Sequence, residues 1–234
     1  MPIRFKWIFG LALLFLLGAA NSQQKQQFAL LETGDFHGSD VSLSQPLHWL
    51  GVYCKKQECS ARPTWIKAAR THDEVVDEDS KASTGTTISL AGSGSESPLF
   101  LVRGVGFTTR VIPTYFFGEQ ALQAGDRFSI GPASAGLTLR VDAKKTAEAA
   151  LPKGSRLILA RGSHEQSLFS LPKGGNDPYI TVLWVGDLDG DGKPDFLLNT
   201  SWHYNISHKV LWLSSQAKPG EIVGLAAFFE TTGC

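Results

Sequence analysis

The sequence predicts a mainly β protein whose antiparallel sheets form a sandwich or an open barrel-like arrangement, with few short helices. Apolar and β-branched residues recur in short runs with a period of two, as expected of half-buried strands. Glycine and proline, 24 and 11 of the 234 residues, separate these runs and supply turn signals. Segments with an apolar face at helical spacing are scarce, which argues against a helical fold.

The predicted strands follow one another along the chain between these turn signals. The run at 48–53 is apolar, and the run at 137–141 alternates apolar with polar residues. Two further runs flank Gly162 and predict a β-hairpin. Short helices are expected at 63–69 and 146–151, neither with a strong apolar face. The full set of predicted strands is 48–53, 99–102, 107–112, 137–141, 156–160, 166–169, 179–184, 196–199, 209–213 and 221–229.

Composition excludes several classes of protein. A hydrophobic fraction of 42% excludes general disorder, and three cysteines are too few for a disulfide-built miniprotein. The 22 basic residues are matched by 22 acidic ones. This balance argues against nucleic acid as a partner, since a nucleic-acid binder needs a surplus of Lys and Arg. The length of 234 residues suits one domain or two small ones.

The first 22 residues have the layout of a secretory signal peptide. Arg4 and Lys6 precede an apolar run at 7–20, and small residues lead to a cleavage position expected after Ser22. The apolar run is shorter than the roughly 20 residues that span a bilayer, so an uncleaved anchor is the less favoured alternative. We therefore expect a secreted or periplasmic protein with no transmembrane segment after cleavage. Its mature chain would hold two more acidic than basic residues.

The mature chain divides into two expected lobes. An N-terminal β lobe covers 23–98 and contains a flexible loop at 73–98, which begins with an acidic cluster and ends in a Gly/Ser-rich stretch. A C-terminal β lobe covers 99–234. The acidic cluster at 73–79 is interpreted as part of a solvated loop, with a second cation site as the alternative.

The three cysteines suggest one local disulfide. Cys54 and Cys59 enclose four residues, and such a short loop closes easily in an oxidising compartment. Cys234 would then be free or intermolecular. A bond from Cys234 to Cys54 or Cys59 is the alternative, and it would tie the C-terminus to the N-terminal half.

One segment carries recognisable chemistry, the nine residues 187–195, which read DLDGDGKPD. Calcium takes six to eight oxygen ligands, and alternate positions of a short loop can turn carboxylates toward one ion. Gly192 permits the sharp turn at position 6, and Gly190 removes a side chain from a crowded bend. Four carboxylates so close together also repel one another without a cation. The predicted ligands, at positions 1, 3, 5, 7 and 9, are Asp187, Asp189, Asp191, Lys193 through its carbonyl, and Asp195.

This loop differs from an EF-hand and fits better as the cap of a β-hairpin in the C-terminal lobe. Position 12, which would hold a bidentate glutamate, is Leu198, and the flanking segments are strand-like. The segment 185–198 resembles the calcium loop of FG-GAP/VCBS repeats, the type found in integrin α-subunit propellers, and 210–214 resembles the following strand of such a blade. The resemblance implies that the calcium ligands are Asp187, Asp189, Asp191, Asp195 and the carbonyl of Lys193.

The segment 202–208 is the leading candidate for a ligand surface. A sugar or peptide could stack on its rings, or a transition metal could bind to its histidines. The alternative is a turn whose aromatic rings pack on the neighbouring sheet. Since the segment follows the calcium loop closely in sequence, we expect the ion to lock both the hairpin and this loop. The residues concerned are Trp202, His203, Tyr204 and His208.

The sequence predicts an exported calcium-binding β protein in which calcium has a structural role. A propeller repeats its blade around a ring, whereas this sequence has a single such loop, so a full propeller and integrin-like adhesion are not expected. The favoured function is a non-enzymatic binding or scaffold module whose partner is a glycan, a peptide or an envelope protein. The sequence lacks the motifs of zinc proteases, α/β-hydrolases, Walker-type NTPases and Rossmann enzymes. The alternative is a calcium-stabilised extracellular hydrolase that acts on polysaccharide or peptide.

Overall fold

The structure is a computed structural model that describes residues 28–38, 40–79, 81–92, 96–130, 136–143, 151–172 and 176–233. Within these ranges the chain forms sixteen β-strands in three antiparallel sheets, and helical structure is confined to a 3-10 turn at Ser214–Gln216. The predicted fold class is therefore confirmed. No helix in these ranges is long and apolar enough to cross a membrane. The predicted signal peptide at 1–22 lies outside them.

The first sheet has seven strands, all from the N-terminal half of the chain. They are β1 (Ala29–Leu31), β2 (Gly34–Phe36), β3 (His48–Lys55), β4 (Glu58–Thr71), β5 (Gly85–Leu90), β6 (Phe100–Arg103) and β7 (Arg110–Ile112). Their order is β1-β6-β3-β4-β5-β2, and β7 pairs with β4 beside this path. The first part of β4 pairs with β3 and its second part with β5, so one long strand joins the two ends of the sheet.

The C-terminal half forms a five-stranded and a four-stranded sheet. The five-stranded sheet contains β8 (Thr114–Leu122), β13 (Tyr179–Gly186), β14 (Asp195–Ser201), β15 (Ile206–Leu213) and β16 (Gly224–Thr232). The four-stranded sheet contains β9 (Arg127–Ile130), β10 (Leu137–Asp142), β11 (Arg156–Arg161) and β12 (His164–Ser170). The strand orders are β16-β15-β14-β13-β8 and β12-β11-β10-β9. All pairs within these sheets are antiparallel.

The five-stranded sheet is the middle of three layers, because its two faces pack in two different hydrophobic cores. Along β14, Phe196 and Leu198 pack with residues of the four-stranded sheet, whereas Leu197 packs with residues of the seven-stranded sheet. On β13, Val185 likewise packs with residues of the four-stranded sheet, and Trp184 packs with residues of the seven-stranded sheet. Successive side chains of a strand point to opposite faces, so both faces need apolar residues here. All seven residues of β14 are consequently buried.

The predicted helix at 63–69 is wrong, since these residues lie inside β4. The first residues of this range pair with β3 and the later ones with β5, so their backbone groups are bonded in a ladder. Pairing on two strands outweighs the turn-like character that Pro63 gives to the local sequence. The second predicted helix, 146–151, lies outside the described residues except for its last residue, which is not helical.

The predicted flexible loop at 73–98 is wrong in part, because β5 lies within it. The β-branched residues Thr86, Thr87 and Ile88 pair with both β4 and β2. The expected boundary between lobes, at 98/99, also differs from the boundary between sheets. β6 and β7 follow residue 98 but pair with β1, β3 and β4. Only Pro113 separates the last strand of the seven-stranded sheet from the first strand of the five-stranded sheet.

Two local predictions are confirmed. Cys54 and Cys59 face each other across the β3–β4 hairpin and form a disulfide, with their Cα atoms 4.1 Å apart. Cys234, whose state was left open, lies outside the described residues. β11 and β12 form the predicted hairpin, and Gly162 in its turn has a φ of +60°, a conformation that favours glycine.

The side chain of Gln166 joins the edges of two sheets. Gln166 lies on β12, the edge strand of the four-stranded sheet, and faces the segment that leads into β16. Its amide nitrogen donates to the carbonyl of Val223 at 2.7 Å. Its amide oxygen accepts from the N–H groups of Ile222 and Val223 at 2.7 and 3.0 Å. One side chain thus satisfies three backbone groups of a segment that no sheet ladder reaches.

Candidate functional site

The acidic loop 187–195 joins β13 to β14, as the hairpin prediction requires. Gly186 and Asp195 are register partners at its base, so the first and last predicted ligands start close together. Gly190 and Gly192 have φ values of +81° and +80°, which explains both glycines by backbone conformation. A Cβ at either position would meet nothing within 4 Å. The expectation that Gly190 relieves crowding is therefore wrong.

Three of the predicted ligands come together in the structure. Carboxylate oxygens of Asp187, Asp189 and Asp195 all lie within 4.8 Å of one another, a spacing at which they could hold a metal ion. Asp187 and Asp195 are buried, with exposed fractions of 6% and 0%, and Asp189 is partly exposed. Asp191 lies outside this group of three. Its Oδ1 accepts from the N–H of Lys193 at 2.9 Å, and the ammonium of Lys193 lies 3.7 Å from its Oδ2.

Backbone N–H groups of the loop hold Asp187 in place. Its Oδ1 accepts from Gly190 at 2.8 Å and its Oδ2 accepts from Gly192 at 2.9 Å. Both donors belong to glycines in the left-handed region, so loop conformation and side-chain position depend on each other. The loop therefore fixes the position of the Asp187 carboxylate, whose oxygens are available as metal ligands.

Asp195 is the most buried of the acidic groups. Its two carboxylate oxygens accept from the N–H groups of Leu188 at 2.7 Å and Ser214 at 2.8 Å. Burial raises the pKa of Asp195 to about 7, and the charges of Asp189 and Asp191 add to this effect, while the two N–H bonds oppose it. A cation among these carboxylates would offset the excess of negative charge in the loop, where four aspartates face a single lysine.

Two serines complete the surroundings of the loop and were not predicted from the sequence. The hydroxyl of Ser214 donates to Oδ2 of Asp191 at 2.7 Å, and the hydroxyl of Ser215 donates to Oδ2 of Asp189. Both serines lie in the 3-10 turn that follows β15. Their position follows from strand register, since Phe196 near the start of β14 pairs with Trp212 near the end of β15. A correct prediction of the pairing between β14 and β15 would have placed these serines beside the loop.

The loop is also bonded to the seven-stranded sheet. The N–H of Asp187 donates to the carbonyl of Pro113 at 2.8 Å, and the guanidinium of Arg110 on β7 donates to the carbonyl of Leu188. A Cβ on Gly186 would lie 2.2 Å from the ring of Trp184 and 2.7 Å from the carbonyl oxygen of Pro113. Gly186 therefore permits a close approach between the loop and the link that joins the two sheets.

The predicted ligand surface at 202–208 is not a single loop. Residues 202–205 form the turn between β14 and β15, whereas His208 lies inside β15. The rings of Trp202 and His208 are 5.2 Å apart, and those of His203 and Tyr204 are 4.5 Å apart. The four side chains thus form two pairs. Among the described residues, no group of three metal-ligating side chains forms around the two histidines.

The two candidate sites lie at opposite ends of β14. The acidic loop precedes Asp195, the first residue of the strand, and the turn with Trp202 follows Ser201, its last residue. The expectation that the two segments are neighbours is therefore wrong, and the expected effect of an ion on the aromatic segment stays a prediction. Closeness in sequence misled here, because a fully extended strand separates the two segments.

His208 is surrounded by aromatic rings. Its ring centroid lies 5.5 Å from that of Phe228 and 6.5 Å from that of Phe169, in addition to the contact with Trp202. Its Nδ1 is 3.0 Å from the hydroxyl of Thr200. Burial lowers the pKa of His208 below its ordinary value, and this effect outweighs the nearby carboxylate of Glu230 and the bond with Thr200.

The acidic cluster at 73–79 does not form a second cation site in the described residues, where the three-carboxylate group of the loop is the one set of three ligands. Asp73 is buried, with 4% exposed, so the expectation of a solvated loop is wrong for it. Its Oδ1 lies 2.7 Å from Nδ1 of His37. Burial alone would raise the pKa of Asp73, but the hydrogen bond with His37 and those from the N–H groups of Val75 and Gly38 outweigh it and lower the pKa.

Comparison of the chain with protein-family models, with curated proteins and with solved structures finds no significant match in any of the three. The likeness of the acidic loop to FG-GAP/VCBS repeats accordingly stays a prediction. The hydrolase alternative and the expected glycan, peptide or envelope-protein partners stay predictions as well. The functional argument therefore depends on the geometry of the chain itself.

Proposed function

We propose that this chain is an exported calcium-binding β protein in which the ion stabilises a binding or scaffold module. The observation that supports this function is the placement of Asp187, Asp189 and Asp195, whose carboxylate oxygens lie within 4.8 Å of one another. The likeness of 185–198 to the FG-GAP/VCBS calcium loop points to the same ion.

The donor chemistry favours calcium over other metals. The acidic loop 187–195 offers carboxylate and carbonyl oxygens, and it contains no cysteine or histidine, the ligands that zinc and copper prefer. Magnesium demands near-ideal octahedral geometry and releases its water reluctantly, whereas calcium accepts irregular sets of oxygens. A loop built from one chain segment, with serine hydroxyls at its rim, suits the less demanding ion.

The proposed role of the ion is structural, because of what the loop contacts. Bonds run from it to Pro113 between the two larger sheets and to Ser214 after β15. An ion bound here would hold the β13–β14 turn, the end of β15 and the link between sheets in one arrangement. Its effect on stability would therefore extend beyond a single hairpin.

Thermal unfolding of the metal-stripped chain tests this proposal. Calcium at about 100 times its dissociation constant should raise the unfolding free energy by about 2.7 kcal/mol, and the midpoint by about 8 °C for a chain of this size. Magnesium at the same concentration should raise the unfolding midpoint by a smaller amount. Asp187→Asn should remove most of the calcium response. The matched control, Glu119→Gln, neutralises an exposed carboxylate on β8 and should retain the full calcium response. An unchanged midpoint in wild-type protein with calcium would contradict the proposal.

Export has its own measurement. The N-terminal residue of the processed protein, recovered from outside the cytoplasm and sequenced, should be Gln23 if cleavage follows Ser22. Recovery of the unprocessed chain from the membrane fraction would support the alternative of an uncleaved anchor.

A further inference from the structure

A small cavity lies between the four-stranded and five-stranded sheets, at the edge where β12 approaches β15 and β16. Its volume is about 280 Å³. We call it the His208 pocket. It is lined by Leu168, Phe169, Thr200, His208, Val210, Trp212, Leu225 and Phe228. None of the proposed calcium ligands lines this cavity.

The walls of the pocket are apolar and partly aromatic. Val210 is buried, with 4% exposed, yet it packs in neither of the two hydrophobic cores. Leu225 and Phe228 on β16 are 55% and 59% exposed, which is unusual for large apolar side chains. Apolar surface thus continues from the interior of the pocket to its rim, as in sites for small molecules.

The pocket has polar groups but no charged lining. The hydroxyl of Thr200 and Nδ1 of His208 are 3.0 Å apart and form the polar part of the wall. No lining residue carries a carboxylate, ammonium or guanidinium group. Nε2 of His208 lies 4.0 Å from the nearest carboxylate oxygen of Glu230, which is too far for a hydrogen bond. A charged ligand would find no counter-ion in the wall, whereas an uncharged one would need none.

The pocket shares part of its wall with a second cavity. Trp212 and Leu225 also line a second, larger cavity of about 910 Å³. The larger cavity is more polar, with Gln166, Lys218 and Glu221 in its wall. The exposed side chains of Leu225 and Phe228 form the rim past which a molecule would enter the pocket.

From this placement we propose that the His208 pocket binds a small uncharged molecule whose apolar, ring-bearing part enters between the sheets. The rings of Phe169, Trp212 and Phe228 contact that part, and the Thr200–His208 pair offers one hydrogen bond. This inference deepens the binding role proposed above by naming a class of ligand. It does not depend on calcium, so failure of either can be recognised separately.

Titration with N-phenyl-1-naphthylamine, a neutral aromatic dye whose fluorescence rises in apolar surroundings, tests the pocket in the full chain. The wild-type protein should bind the dye saturably at one site. Leu225→Asp places a charge at the rim and should weaken binding by about tenfold. Val111→Asp, at a residue on β7 that is 80% exposed, is the matched control and should bind as the wild type does.

A second variant fills the pocket from within. Val210→Trp should also weaken dye binding by about tenfold, and its thermal midpoint shows whether the protein remains folded. The proposal is overturned if the wild type shows no saturable binding, or if Leu225→Asp binds the dye as tightly as Val111→Asp does. The calcium-induced midpoint shift of the same wild-type sample reports on the calcium proposal alone.

Discussion

Replacing Asp189 by asparagine should stabilise the metal-free protein and destabilise the calcium-loaded protein relative to the wild type. Asp189 is the most accessible of the three clustered carboxylates, and its oxygens contact only the N–H of Asp191 at 3.3 Å and the hydroxyl of Ser215. An amide keeps one oxygen acceptor and can donate to the serine hydroxyl. The substitution therefore changes charge more than it changes packing.

The magnitude in the metal-free state follows from Coulomb's law. Two unit charges at 4.8 Å, the upper limit of the spacing in this group, repel by about 0.9 kcal/mol in water and by about 3.5 kcal/mol at an effective dielectric constant of 20. Asp189 faces two such partners, and its partial exposure places it near the lower limit. Removal of its charge should therefore relieve about 2 kcal/mol of repulsion, less about 1 kcal/mol for the altered hydrogen bonds.

Calcium should reverse the order of stability of the two proteins. At about 100 times the wild-type dissociation constant, calcium should add about 2.7 kcal/mol to the unfolding free energy of the wild type. A variant that binds about 100-fold more weakly would gain only about 0.4 kcal/mol at the same concentration. The predicted stability curves of the two proteins thus cross between the metal-free and the calcium-loaded state.

Urea unfolding at pH 7.5 and low salt measures the unfolding free energy of both proteins, each in EDTA and in calcium. In about 1 M salt the advantage of the variant in EDTA should shrink, because the Debye length falls to about 3 Å. The reasoning would be refuted if Asp189→Asn gained as much stability from calcium as the wild type does. It would be refuted equally if the variant were markedly less stable than the wild type in EDTA.

Three further predictions concern the scaffold. Gln166→Leu should lower the unfolding free energy by about 3 kcal/mol, because it leaves three backbone groups unpaired, and urea unfolding against the exposed control Gln120→Leu measures this. Gly224→Ala should lower the unfolding free energy by about 2 kcal/mol or more and weaken the calcium response, because its Cβ would lie 1.9 Å from a carbonyl oxygen of the 3-10 turn. The control is Gly106→Ala, since a Cβ at that position would meet nothing within 4 Å. The lowered pKa of Asp73 contributes stability that is present above its unfolded pKa of about 3.9 and is lost as pH falls through the folded value. Urea unfolding between pH 2 and 5 should therefore show a flatter acid limb for Asp73→Asn, and an unchanged limb would contradict this assignment.

The acidic loop was predictable because its chemistry is local. Asp187 and Asp195 are separated by one turn, and the glycines that shape the turn lie between them, so spacing alone suggests a shared ion. Ser214 and Ser215 could not be found in this way. They reach the loop only through the pairing of β14 with β15, a relation between residues that are distant in sequence.

The strands themselves were mostly predictable, but their layers were not. An apolar run such as 196–198 indicates a buried strand, yet nothing in it shows that alternate side chains enter two separate cores. β5 was missed because Thr86 and Thr87 lie in a stretch whose charged and Gly/Ser-rich ends suggest a loop. The helix at 63–69 failed because pairing with two strands decided the conformation of that segment.

Because a single residue separates β7 from β8, the two halves of the chain are not expected to unfold independently. Cleavage at Pro113 would leave Trp184, Leu197 and Leu211 on a sheet face with no partner, so neither fragment is a separate folding unit. Since Asp187 donates to the carbonyl of Pro113, calcium would act at the joint between the fragments. Calorimetry should show one cooperative transition that calcium moves as a whole, with no second peak for an independent half.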